Sequence, residues 1–164
     1  MKNKSVLMSI QPNWVAEILN GKKTKEIRKT KPKIATPFKC YIYCTKKGRP
    51  IVYGYVWDWF EKYVQTLKCS EKLKKFGTLN GKVVGEFVCD RIDEYKYNKE
   101  FGYEINEKDF NSTMLTANEF LNYGKQETLY GLNISELIIY VKPKKLSEFK
   151  IKSPPQSWCY VEAL

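Results

Sequence analysis

The distribution of apolar and polar positions divides the chain into short segments. Residues 5–10 (SVLMSI) predict a buried first strand. Pro12 then stands where a first helical turn tolerates it, Trp14, Val15, Ile18 and Leu19 follow at helical spacing, and Gly21 supplies a stop, so 12–20 predict a short helix with one apolar face. Residues 24–29 (TKEIRK) predict a strand: Thr24, Glu26 and Arg28 share one face, and Lys25, Ile27 and Lys29 share the other. Ile27 marks the core side, which leaves the Glu26/Arg28 face either partly open or buried as an ion pair.

Residues 38–45 (FKCYIYCT) and 83–92 (VVGEFVCDRI) predict strong strands, and 51–60 (IVYGYVWDWF) an aromatic-rich strand or buried segment. Residues 67–76 suggest a charged helix, and 93–112 are polar, aromatic and irregular, the pattern of a loop or insertion. Residues 116–123 (TANEFLNY) predict a helix with Thr116 as N-cap, Glu119 completing a capping box and Gly124 at its end. A strand over 132–141 stops at Pro143, a helical turn or connector covers 146–149, and 153–162 (SPPQSWCYVE) give a rigid bend and a closing strand. Strand, helix, strand and then several strands with short helices suit a mixed barrel better than a doubly wound sheet. With no repeat, low-complexity tract or linker, 1–164 read as one domain.

Composition narrows the chemistry. The net charge of +11, from 29 Lys plus Arg against 18 Asp plus Glu, favours polyanionic partners, although a Lys-rich surface that serves solubility has the same composition. There is no histidine, which excludes histidine-based triads, bases and metal sites. Five cysteines without paired spacing (Cys40, Cys44, Cys69, Cys89 and Cys159) read as packing thiols in a reducing compartment. No signal peptide or membrane-length apolar run is visible, so the expected location is the cytoplasm; no metal or cofactor is expected.

Several side chains are candidates for a site. Lys23 and Arg28 suit a phosphate or a base carbonyl, and Glu26 an exocyclic amine; the alternative is a same-face pair with a structural role. Tyr41 and Tyr43 share a face that either packs or offers rings for stacking. Lys46 leaves the end of a strand toward a cleft, whereas Lys47 fits a solvated loop. Trp57 and Trp59 share a face suited to the core, Trp158 packs, and Gln156 and Ser157 are set by the two prolines to touch a ligand. Lys142, Lys144 and Lys145 form a basic turn that either is simply solvated or extends a nucleic-acid surface.

Three segments together resemble the ASCH family of PUA-like domains. They are 9–29 (SIQPNWVAEILNGKKTKEIRK), with Gly21, Lys23, Thr24, Glu26 and Arg28 in the family's pattern; 81–92 (GKVVGEFVCDRI), with Gly85 at a close-packed point; and the tail, LNISELIIYVKPKKLSEF followed by PPQSWCYVE, which is similar to phage-associated members. The resemblance implies an α+β fold, a PUA-like closed β-barrel with short flanking helices beside a cleft for RNA or a nucleotide. It also implies that the Lys23, Glu26 and Arg28 side chains converge in that cleft, half open to water, joined by Lys46, Gln156 and Ser157. Similar proteins act as amidohydrolases on N-acetylated cytidine through a Lys, a Thr nucleophile and a Glu, and another is a ribonuclease. Here the residue three after Lys23 is Glu26 instead of a hydroxyl, and Thr24 is adjacent to Lys23.

The leading expectation is therefore an RNA- or nucleotide-binding module. The alternative is a nucleoside-directed hydrolase with Lys23 as base, Thr24 as nucleophile and Glu26 or Glu119 as proton carrier. A third reading, a phage accessory protein docking on a host protein, would need an exposed patch around Trp57, Trp59 or Phe60.

Overall fold

The computed structural model describes residues 4–48, 51–55, 62–66 and 78–164, with the backbone alone for 52–55 and 62–66. The first strand, β1 (Lys4–Ile10), explains its own apolar run: Ser5 to Ile10 are all buried, because cores lie on both of its faces. Val6, Met8 and Ile10 enter the main core with Val15 and Ile18 of α1 (Pro12–Leu19), while Leu7 enters a second core with Tyr41, Tyr43 and Phe149. β1 pairs in parallel with β3 (Phe38–Cys44) and antiparallel with the closing strand β12 (Trp158–Glu162). With β6 (Val83–Cys89) and β11 (Ser135–Lys144) they form one five-stranded sheet, ordered β11-β6-β3-β1-β12.

A second sheet has β2 (Lys25–Arg28) and β7 (Ile92–Tyr95) on either side of β10 (Leu129–Asn133). The sheets are joined through the chain itself. β6 runs on into β7 past Asp90 and Arg91, and β10 runs on into β11 past Ile134, so one antiparallel ladder bends from sheet to sheet, as at the corners of orthogonal packings. The result is a mixed α+β fold; among the described residues the strand pairing does not close into a continuous barrel. The strand expected over 132–141 is thus two strands either side of this corner. β11 runs past Pro143 to Lys144, because as an edge strand it needs no inward N–H there.

Residues 93–112 are more ordered than their polar sequence predicts. They contain most of β7, a small hairpin of β8 (Tyr97–Asn98) and β9 (Gly102–Tyr103), and α2 (Glu107–Ser112), which is capped by the Asn106 side chain accepting from the Asp109 N–H. Tyr103 packs edge-on against Phe120 of α3 (Ala117–Gly124) at 5.1 Å, so aromatic contacts do the work that apolar periodicity does elsewhere. The capping box read from Thr116 and Glu119 is present. Gly85 is close-packed: a Cβ there would lie 2.5 Å from the Ile138 carbonyl oxygen.

β4 (Ile51–Tyr55) and β5 (Lys62–Thr66) pair antiparallel. The expected helix at 67–76, with Cys69 inside it, and the Trp57, Trp59 and Phe60 patch lie outside the described residues. Tyr41 and Tyr43 are not available for stacking. The second core covers their face, with Phe149 set edge-on at 4.7 Å from Tyr41. Cys40, Cys44 and Cys89 are free, buried thiols, and burial pushes Cys44 and Cys89 up to about 12. Among the described residues, no helix is long and apolar enough to cross a membrane.

Candidate functional site

β2 is a four-residue strand with every side chain buried, and three of its four residues are charged. Both of its faces therefore carry ionic clusters, and burying them is tolerable only because each charge meets partners. The chain enters β2 through a tight turn: Gly21 takes φ +74°, and the Lys22 and Lys23 N–H groups both donate to the Glu17 carbonyl. That turn aims Lys23 inward beneath Trp14, whose ring centroid lies 5.3 Å from the ammonium.

On one face lie Lys23, Glu26 and Arg28, exposed by only 2%, 6% and 7%. The expected half-open hollow is instead a buried ion network, because Glu26 stands between two cations that neutralise it. Glu26 Oε1 is 3.0 Å from Arg28 Nη2, and Oε2 is 3.4 Å from Lys23 Nζ. The second contact is long, and Glu26 Oε2 has no well-aligned hydrogen-bond donor. Lys23 Nζ donates to the Thr113 carbonyl at 2.6 Å. Arg28 Nη2 donates to the Ser9 carbonyl at 2.9 Å, and Nη1 to Ser157 Oγ at 3.4 Å, while its Nε is buried without a partner. Burial holds the Lys23 ammonium below its usual range, opposed by Glu26.

Two elements frame this network. The chain at Pro155–Ser157 is tied to β1, since Ser9 Oγ donates to the Pro155 carbonyl at 2.6 Å and the Ser9 N–H to the Ser157 carbonyl at 2.9 Å. On the other side is α3, whose Glu119 carboxylate feels Lys23 and whose Tyr123 hydroxyl feels Arg28 and Glu26. These two residues are four apart and share a helix face. Glu119 is held below its usual range chiefly by its hydrogen bonds to Thr116.

The opposite face of β2 holds a second cluster. Lys25, 1% exposed, donates to Asp93 at 2.5 Å and to Asp109 at 2.9 Å. Burial works to lower the Lys25 ammonium, but these carboxylates outweigh it and the net direction is upward. Three contacts now join residues 23–25 to 109–113: Lys25 to Asp109, the Thr24 N–H to the Ser112 carbonyl at 3.0 Å, and Lys23 to the Thr113 carbonyl. The irregular segment thus supplies one wall of the site.

Of the residues singled out in the sequence, Lys23, Glu26, Arg28 and Ser157 come together. Thr24 is exposed and bound through its backbone, Gln156 is exposed beside Ser157, and exposed Lys46 lies along Gly81, where its Cγ would be 3.1 Å from an added Cβ. Ser9, Thr113, Tyr123 and the Lys25 cluster were not singled out. Ser9 had a signal, a hydroxyl inside an apolar run; Thr113 contributes only a carbonyl, which no side-chain pattern reveals. Among the described residues no three Cys, Asp or Glu side chains gather as a metal site would require.

No protein-family model and no curated protein matches the sequence. Solved structures do match. The crystal structure of ASCH from Zymomonas mobilis superposes with a TM-score of 0.62 at 19% identity, covering 95% of this chain and 86% of that one. A serine-to-alanine mutant of that protein, ZmASCH, gives 0.63 at 18% identity over 97% and 89%, and a tyrosine-to-phenylalanine mutant 0.61 at 16% over 95% and 88%. A likeness this complete at such low identity is one of architecture, and the chain carries the fold of ASCH domain proteins.

Proposed function

We propose that the chain is an RNA- or nucleotide-binding module, one domain spanning 1–164, whose two sheets are the walls of a PUA-like barrel and whose ligand site is the Lys23–Glu26–Arg28 network. The observation that carries this reading is a pair of buried, under-satisfied atoms: Arg28 Nε, without a hydrogen-bond partner, and Glu26 Oε2, whose long contact with Lys23 is not a well-aligned hydrogen bond. A buried polar group left unpaired costs about 1–3 kcal/mol, so an acceptor on Glu26 and a donor on Arg28, both under-satisfied in one ion network, favour a ligand that presents both a donor and an acceptor. The edge of a nucleobase does so: its exocyclic amine donates to Glu26 and its ring nitrogen or carbonyl accepts from Arg28. Tyr123, Gln156 and Ser157 form the rim, and Lys46 extends the positive field.

Binding of labelled single-stranded RNA, measured by fluorescence polarisation at low and at moderate salt, tests the proposal. Affinity should fall as salt rises, and Arg28→Lys, which keeps the charge but loses the planar fork, should bind roughly ten-fold more weakly. Absence of binding at both salts, or an affinity indifferent to salt, contradicts it.

One observation favours the hydrolase as a second reading: burial lowers the Lys23 ammonium, the direction a general base needs. In that reading Thr24 is the nucleophile and Glu26 or Glu119 carries the proton. Incubating the protein with N-acetylcytidine and with RNA decides it, and turnover that survives Lys23→Ala removes this mechanism.

A further inference from the structure

We propose that the ligand is a single-stranded RNA segment, not a free nucleoside, and that the strand leaves the Glu26/Arg28 site along a track of lysines and tyrosines on residues 29–33 and their neighbours. This rests on the site proposed above and adds the surface that continues from it.

Residues 29–33 (KTKPK) follow Arg28 directly and place a lysine at every second position. The intervening residues are the anchors. Trp158 Nε1 donates to Thr30 Oγ1 at 3.1 Å and to its carbonyl at 3.3 Å, and Pro32 is buried. The Lys33 N–H donates to the Tyr160 hydroxyl at 2.7 Å. A segment pinned in this way presents Lys29, Lys31 and Lys33 from fixed ground, so little ordering is needed when a strand binds.

Each of the first two lysines stands over an aromatic ring: Lys29 Nζ is 5.8 Å from the Tyr123 centroid, and Lys31 Nζ is 4.9 Å from that of Tyr130. Tyr130 is the cross-strand partner of Arg28, and the Tyr123 hydroxyl feels Arg28 and Glu26, so the rings begin where the ion network ends. Tyr160 is 37% exposed beside Lys33. Alternating cations and rings are the chemistry of single-strand recognition, with ammoniums on phosphates and rings stacked on bases.

Duplex RNA is disfavoured, because its stacked bases do not offer their faces to these rings. Lys29 and Lys31 do have acidic neighbours, Glu127 at 3.0 Å and Glu94 at 3.5 Å. Those pairs are solvent-exposed and therefore weak, and a doubly flanked phosphate replaces a carboxylate readily.

The test compares a mononucleotide, an eight-residue single-stranded RNA and a duplex of the same sequence on three proteins. These are the unaltered chain; Lys29→Ala/Lys31→Ala/Lys33→Ala; and a control of equal charge change, Lys99→Ala/Lys150→Ala/Lys152→Ala, made at exposed lysines elsewhere. The single strand should bind at least ten-fold tighter than the mononucleotide and the duplex. The track variant should lose that gain and reduce the slope of log affinity against log salt by about 2, from roughly 0.7 per phosphate contact, while the control leaves the slope unchanged. Tyr130→Leu should weaken the single strand roughly ten-fold through lost stacking. A single strand bound no more tightly than the mononucleotide, a duplex bound as well, or a control that costs as much as the track variant overturns the track and leaves the Glu26/Arg28 site standing. Failure of both mononucleotide and strand to bind overturns both.

Discussion

Glu26 is the residue on which the site depends. Among the described residues, its carboxylate is the one anion in ion-pair contact with both Lys23 and Arg28, and all three are buried. Removing one member of a buried ionic set leaves uncompensated charge, typically at about 3–5 kcal/mol. Glu26→Gln should therefore lower stability by about that amount in urea unfolding, and should move the Lys23 titration, followed by NMR at its side-chain carbons, further down. Lys23→Met should cost much less, since it removes a charge that burial already disfavours. The pH dependence has a definite sign. The folded-state value of Lys23 lies below 10.5, so in the window between that value and 10.5 the unfolded chain holds a proton that the folded chain has released. Stability then rises with pH across the window, and Lys23→Met should abolish the rise.

At the scale of elements, the contacts joining 23–25 to 109–113 make α2 part of the site. The Asp109 carboxylate is desolvated, which alone would raise it, but the Lys25 ammonium holds it below its usual 3.8. Its contribution is present above pH 3.8 and is lost as pH falls through the lower folded value. Thermal melts should show this acid loss in the unaltered chain and a shallower one in Asp109→Asn. Gly85→Ala drives a methyl to 2.5 Å from the Ile138 carbonyl oxygen at the β6–β11 pairing, and a fall of about 1–3 kcal/mol in chemical unfolding is the expected result.

Much of this architecture was legible in the sequence: the buried first strand, the proline-led helix and the Thr116–Glu119 box each follow from local rules that act within a few residues, whereas the close packing at Gly85 was implied by the family resemblance. Residues 93–112 were not, because their order comes from a carboxylate reaching Lys25 and rings packing on Phe120 across the fold. The burial of Glu26 and Arg28 was legible only as one of two options. Alternation placed them on one face, but that this face is covered depends on β1 and on the chain around Ser157.

For the whole molecule, the net charge of +11 with no histidine sets long-range behaviour. A positive field draws in a polyanion and weakens with salt, yet it carries no sequence information. In the proposed RNA-binding role, discrimination between bases must come from the few fixed groups at the candidate site. Changing the base should therefore alter affinity by about 1–3 kcal/mol per contact at any salt, whereas changing salt should shift all sequences together. Titrations of homopolymeric single strands at two salt concentrations separate these terms.

The most direct measurement is the Arg28 Nε–Hε resonance in a nitrogen-15 correlation spectrum, followed as single-stranded RNA is added. Arg28 Nε is buried and unpartnered, so a ligand that fills the site gives it an acceptor. The account predicts a saturable shift of this signal, with slowed exchange with water, that is absent in Glu26→Gln. Binding that perturbs lysine-rich surface signals while the Arg28 resonance stays in place would contradict it.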